Sequence, residues 1–146
     1  MNVSTEVGID ETSARILEAA ETLLEERGID GVQVREVAER AKTSTMGVYS
    51  RFGGKSGLLD RLYIRGFERL REAATPIQGR GEPGEELERM AEAYRAHAHE
   101  WPRHYDLMFG RGVPGFEPSA EARKTALDGF QVWVDSVKRA TDAGLL

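Results

Sequence analysis

The chain has no cysteine, which excludes disulfides and thiolate metal sites. No apolar run approaches the ~20 residues that a membrane-spanning helix needs. The first ten residues are polar and acidic, unlike a signal peptide. These absences lead us to expect a soluble, cytoplasmic protein with no membrane partner. No stretch of useful length alternates apolar and polar residues with period two, so strands are not expected. Neither GxSxG nor HExxH occurs, and no glycine-rich phosphate loop follows a strand. Gly53-Gly54-Lys55-Ser56 ends like such a loop, but Tyr49 stands where its first glycine belongs. The expectation is a non-enzyme without a cofactor.

A more local absence is the most informative one. No acid occurs between Lys42 and Gly57, although the chain as a whole carries a net charge of −5. From Arg35 to Arg71 there are nine basic residues against four acids. A locally positive patch on an acidic protein suits site-selective binding of nucleic acid, because the overall charge limits indiscriminate association.

What is present is helical. Ile16, Leu17, Ala20, Leu23 and Leu24 give one apolar face over 12–27, started by Thr12 or Ser13 and stopped by Gly28. Val34, Val37, Ala38 and Ala41 make the seam of a second, short helix. Lys42 and Thr43 separate it from Ser44, which is placed to cap a two-turn helix. That third helix turns Val48 and Phe52 inward and Thr45, Met46, Tyr49, Ser50 and Arg51 outward, then stops at Gly53-Gly54. A face of hydroxyls and one tyrosine, without carboxylates, suits a phosphate backbone, where acids would be repelled. Two short helices joined by so tight a turn read as helix-turn-helix, the second entering the major groove and the first crossing the backbone.

Residues 12–70 resemble the DNA-binding end of the TetR (tetracycline-repressor-like) family of transcriptional regulators. The pieces that carry the resemblance are ILEAAETLLEERG (16–28), VREVAERA (34–41), TSTMGVYSRF (43–52) and GGKSGLL (53–59). Two positions depart from the family pattern: Lys42, where a turn glycine is usual, and Gln33, where Ser or Thr is common. The resemblance implies a homodimer on a palindromic operator in double-stranded DNA. It implies that Tyr49 and Lys55 hold phosphates, helped by Thr43, Gly47 and Arg51, while Thr45, Met46 and Ser50 meet base edges. Arg35, on the crossing helix, is the candidate for reading a guanine through its parallel donors.

The rest of the chain sets the domain plan. After an arm expected to be disordered (1–11) and the helix-turn-helix unit (12–54), a linking helix runs over 55–74. Ser56 could cap it, and Leu58, Leu59, Leu62, Tyr63, Gly66, Phe67 and Leu70 form its apolar stripe. The stretch TPIQGRGEPG (75–84) breaks the helix. The remainder, 75–146, reads as a helical effector-binding and dimerisation bundle, incomplete at its C-terminus against the family pattern. Its helices are expected over 85–100, 103–109 and 119–143. Leu87, Met90, Ala91, Tyr94 and Ala98 face inward on the first, and Ala122, Ala126, Phe130, Trp133, Val134 and Val137 on the last.

This half is rich in aromatics and methionine. Met90, Tyr94, Tyr105, Met108, Phe109, Phe130 and Trp133 are candidates for an apolar pocket, though each also suits an ordinary bundle core. EWPRHYDLMFG (100–110) resembles ligand-binding bodies in one branch of the TetR family. His97, His99 and His104 invite a metal test, but His97 and His99 sit two apart and point to nearly opposite faces of a helix. They are read as surface or pocket-lining groups with no metal. The class expected is all-α, and the function a repressor released from its operator by a small apolar or aromatic effector. The alternative is a helical ligand-binding or protein-interaction module that does not read DNA.

Overall fold

Asp10 begins the first helix: its carboxylate accepts from the Ser13 N–H at 2.7 Å, so α1 runs Glu11–Arg27 and starts ahead of Thr12. A shorter polar side chain two residues on would compete poorly with a charged cap at this helix end. The computed structural model describes residues 10–110 and 112–146. The arm expected over 1–11 therefore falls, up to residue 9, outside the described residues. A 3-10 turn (Ile29–Gly31) leads to α2 (Val34–Arg40), followed by α3 (Thr45–Phe52), α4 (Lys55–Ala74), α5 (Pro83–Glu100), α6 (Pro102–Phe109) and α7 (Ala120–Asp142). Every regular element among the described residues is a helix.

The first three helices and the start of α4 close over an aliphatic core. Ile16, Leu23, Leu24, Val32, Val37, Val48, Leu58 and Leu62 are all fully buried. Removing each such side chain from water contributes on the order of 1.5–3 kcal/mol. Leu107 of α6 and Phe116 of the following loop belong to the same cluster, so the second half of the chain plugs into the head. At the α3–α4 corner, a β-carbon on Gly57 would fall on the Phe52 carbonyl oxygen. Glycine is needed there because two backbones touch. Ser56 does not cap α4. Gly54 occupies that place, at φ +124 and without a side-chain bond.

The second half has a different interior. Phe67, Leu70 and Ala74 of α4 pack with Met90 of α5, Met108 of α6 and Val132 and Trp133 of α7. α7 lies close along α4, where a β-carbon on Gly129 would come 2.8 Å from the Phe67 carbonyl oxygen. The buried face of α7 is Ala122, Gly129, Val132, Trp133, Ser136 and Ala140. The expected inward set is corrected here: Phe130, Val134 and Val137 are exposed, with Leu127. The helix is apolar on two sides, and the side that carries Gly129 turns inward, because only there can the α4 backbone approach so closely. Pro83 opens α5 two residues earlier than expected, suited by its missing N–H to a first-turn position. The breaker segment is fixed to the bundle by Glu86, fully buried, which accepts from the Gly79 N–H and from Arg139. The Arg139 side chain, ahead of the Gly79 amide, holds that carboxyl below its usual range although burial opposes it.

Candidate nucleic-acid interface

The turn between α2 and α3 is built on the departure noted at Lys42. Ala41 ends α2, and Lys42 adopts φ +57, the only left-handed residue other than glycine among those described. The Thr43 N–H then reaches back to the Ala38 carbonyl at 3.0 Å, the bond that closes a helix in this motif. Gln33 precedes α2 without capping it. Its side chain donates instead to the Asp30 carbonyl at 2.7 Å. Ser44 does cap α3, accepting from the Gly47 N–H at 3.0 Å. A β-carbon on Gly47 would stand 2.6 Å from the Thr43 hydroxyl, so a side chain there would push against the turn before reaching any ligand.

The outward face of α3 is open. Met46 is 75 % exposed and Tyr49 54 %, and Ser44, Thr45 and Ser50 are exposed with them. Ser50 donates to the Gly47 carbonyl at 3.2 Å, leaving its lone pairs outward. The Tyr49 ring rests near Gly54, where a β-carbon would come 3.2 Å from it, and this fixes the direction of the phenol. Arg35, Tyr49 and Lys55 then line one open groove of about 530 Å³ with Gln33, Val34, Glu36 and Glu39. Of the two carboxylates in that groove, Glu36 pairs with Arg27 and lies 3.9 Å from Arg40, while Glu39 stays exposed beside the cations. Three side chains, one on each of α2, α3 and α4, thus share a single surface with cationic and hydroxyl groups.

Arg51 is placed differently from its neighbours. Its guanidinium pairs with Asp10 at 3.2 Å and donates to the Gly47 carbonyl, also at 3.2 Å. Asp10 is held well below the usual carboxylate range by its bonds to Ser13 and then by Arg51. The start of α1 is thereby fastened to the α3 helix, a pairing across 41 residues that no local pattern announces.

The aromatic candidates of the second half do converge. Tyr94 stands edge-on to Trp133 at 5.5 Å between centroids, and Phe109 meets Tyr105 at 5.0 Å and Phe130 at 6.0 Å. The hydroxyls of Tyr94 and Tyr105 lie 3.2 Å apart, and burial, then that contact, pushes the Tyr94 phenol upward. Met90 and Met108 are buried beneath them. The Trp133 indole nitrogen and the Ser136 hydroxyl are buried with no hydrogen-bond partner. His99 is exposed as expected, but His97 and His104 are not surface groups. Both are buried, and His104 fully so. Among the described residues no three histidines or carboxylates come together as a metal site. No described helix is long and apolar enough to cross a membrane.

Two family models match this chain. Residues 16–62 match that of bacterial regulatory proteins, tetR family, and residues 87–146 match a tetracyclin repressor-like C-terminal domain. The chain belongs to the TetR family. Helix-turn-helix head and helical body are both accounted for. Among solved structures, the TetR chain is similar to a protein of unknown function from Rhodococcus sp. RHA1, with 26% identity and a TM-score of 0.78 over 92% of this chain and 70% of that one. PfmR, a TetR family transcriptional regulator from Thermus thermophilus, has 24% identity and a TM-score of 0.69, over 90% of this chain and 73% of its own. A TetR variant from Acinetobacter baumannii AYE, in complex with minocycline, shares the fold at 19% identity and a TM-score of 0.57, over 93% of this chain and 85% of its own. A comparison with curated proteins finds no match.

Proposed function

We propose that this TetR-family regulator is a repressor that binds a palindromic operator as a symmetric homodimer and leaves it when a small apolar or aromatic effector enters the body. The observation that carries the DNA reading is the acid-free, exposed face of α3, continued by Tyr49, Lys55 and Arg35 into one groove. In this reading Tyr49 and Lys55 hold phosphates, with Thr43, Gly47 and Arg51 in support, and Thr45, Met46 and Ser50 meet base edges. Ser44 orients the helix by its cap. Arg51 reaches a phosphate only by leaving Asp10, which makes it the weakest of the phosphate assignments.

The effector reading is supported by the aromatic cluster of Tyr94, Tyr105, Phe109, Phe130 and Trp133, over Met90 and Met108. A packed cluster of this kind admits a guest by repacking, which methionine and edge-on rings tolerate. The exposed stripe of Leu127, Phe130, Val134 and Val137 on α7 supports self-association.

Selection of duplexes from a random pool at near-physiological salt tests the DNA reading. A palindromic consensus is expected, and its half-site spacing reports the dimer geometry. Lys55→Ala should then weaken binding evenly across sequences and reduce the salt slope by about 1. Arg35→Ala should instead relax preference at one base pair, worth about 1–3 kcal/mol of discrimination. No enrichment by the dimeric protein would favour an interaction module that does not read DNA.

A further inference from the structure

α6, like α4, contributes to both interiors, with Leu107 in the aliphatic core of the head and Met108, its neighbour, in the core of the body. Its N-terminus has no cap of its own, since Trp101 occupies the cap position without a side-chain bond and Pro102 follows. The cap comes from α1. The Glu25 carboxylate accepts from the His104 N–H at 3.0 Å and, more distantly, from the Arg103 N–H at 3.5 Å. It also meets the His104 ring at Nδ1, 2.6 Å away. A free helix end and a carboxylate attract each other through the partial charge of the helix, and burial of His104 strengthens every bond at this point.

The surroundings make the contact stiff and specific. Nε2 of His104 lies 3.4 Å from Glu21 on the same face of α1, and Glu21 is held in turn by Arg69 at 2.6 Å and Arg65 at 3.2 Å from α4. The Arg69 guanidinium sits 4.1 Å over the Trp101 ring. His104 therefore cannot slide along α1 without leaving one carboxylate or the other.

We propose that Glu25 and His104 are the joint through which movement of α6 reaches the DNA-binding head directly, by way of α1 and not only along α4. The proposal rests on the regulator reading above. Tyr105 and Phe109, on the same helix, stand in the aromatic cluster, so repacking of that cluster displaces α6. The Glu25 cap converts the displacement into a pull on the end of α1.

The test uses the cysteine-free chain. Spin labels on Glu39→Cys in α2 and Glu92→Cys in α5, both exposed positions, report the head-to-body distance by pulsed electron resonance. Dilution with unlabelled protein restricts the signal to pairs within one chain. The parent is expected to give one narrow distance, and Glu25→Ala and His104→Gln a broadened one. Glu26→Ala, whose carboxylate pairs with Arg40 within the head, should leave it narrow. If Glu25→Ala does not fold by circular dichroism, Glu25→Gln takes its place, with the same broadening expected. An unchanged distribution in His104→Gln and the folded Glu25 variant overturns the joint.

A second readout follows Trp101 emission in a Trp133→Phe background on addition of a selected duplex, with binding followed separately by anisotropy. Because coupling is reciprocal, emission should change in the parent and change by much less in His104→Gln, where only the route along α4 remains. A parent that binds the duplex with no change in Trp101 also overturns the proposal. Failure to bind any duplex would count against the regulator reading, while the label distances would still decide the joint.

Discussion

Head and body are both helical, yet they are stabilised by different chemistry. The head is filled mainly by aliphatic side chains, many with no exposure, and its polar side chains are at most partly buried, as Glu21 is at the boundary with the body. The body is filled by rings and methionines, and it buries Glu86, His97, His104 and Ser136. Aliphatic side chains interlock in one arrangement. Rings in edge-on contact and thioethers exchange neighbours at small cost. The head is thus constructed as a rigid reading unit and the body as a volume that can be rearranged.

The most direct challenge to this contrast is to make equivalent cavities on each side. Leu23→Ala, in the head, should cost about 2–5 kcal/mol, and Met108→Ala should fall at the low end of that range because its surroundings can close in. Equal losses in denaturant melts would remove the distinction.

The next largest effect concerns the boundary between the two. Burial alone would raise the Glu21 carboxyl, but the His104 ring and the Arg69 guanidinium, with Arg65 beside them, outweigh it and bring it down to about 2. Its folded-state pKa lies below the unfolded one, so its contribution is complete above about pH 4.5 and is lost as the pH falls towards 2. Glu21→Gln should flatten the pH dependence of the melting temperature across that window. A variant whose profile matches the parent's would show that the cluster adds nothing.

Two smaller effects should both be gains, one in each half. Ser136→Ala removes a buried hydroxyl that has no partner and should stabilise the body by about 1 kcal/mol. A loss would mean that the hydroxyl is paired with a buried water. Lys42→Gly relieves the left-handed residue in the helix-turn-helix turn. The gain should be at most about 1 kcal/mol, because the strain of an L-residue there is partly offset by the chain entropy of glycine.

Most of the helices were legible because the apolar spacing and the glycine, proline and serine punctuation are local signals. The grouping of Arg35, Tyr49 and Lys55 was also within reach, since a tight turn between two short helices leaves few ways to arrange them. The face of α7 was not. Its two apolar sides give the same periodicity, and only the close approach of α4 at Gly129 selects between them. Nor could Glu25 be matched to His104, 79 residues away, or Glu86 to Arg139, 53 away. Those pairs are made by the packing of helices and have no trace in the spacing of either segment. The three histidines read as one cluster along the chain, whereas in space His104 belongs with the carboxylates of α1.

The contact of Gly57 with the Phe52 carbonyl has a mechanical side. With no side chain between the end of α3 and the start of α4, there is nothing to compress at that corner, and α4 acts as a lever with the recognition helix fixed to its tip. Its twenty residues make an arm of about 30 Å at 1.5 Å per residue. A tilt of only about 5° about the body end swings the tip by roughly 2.6 Å over that length. That is most of the ~3.4 Å between successive base pairs of DNA, so in the proposed operator complex a small tilt of this arm is enough to shift the register of the head.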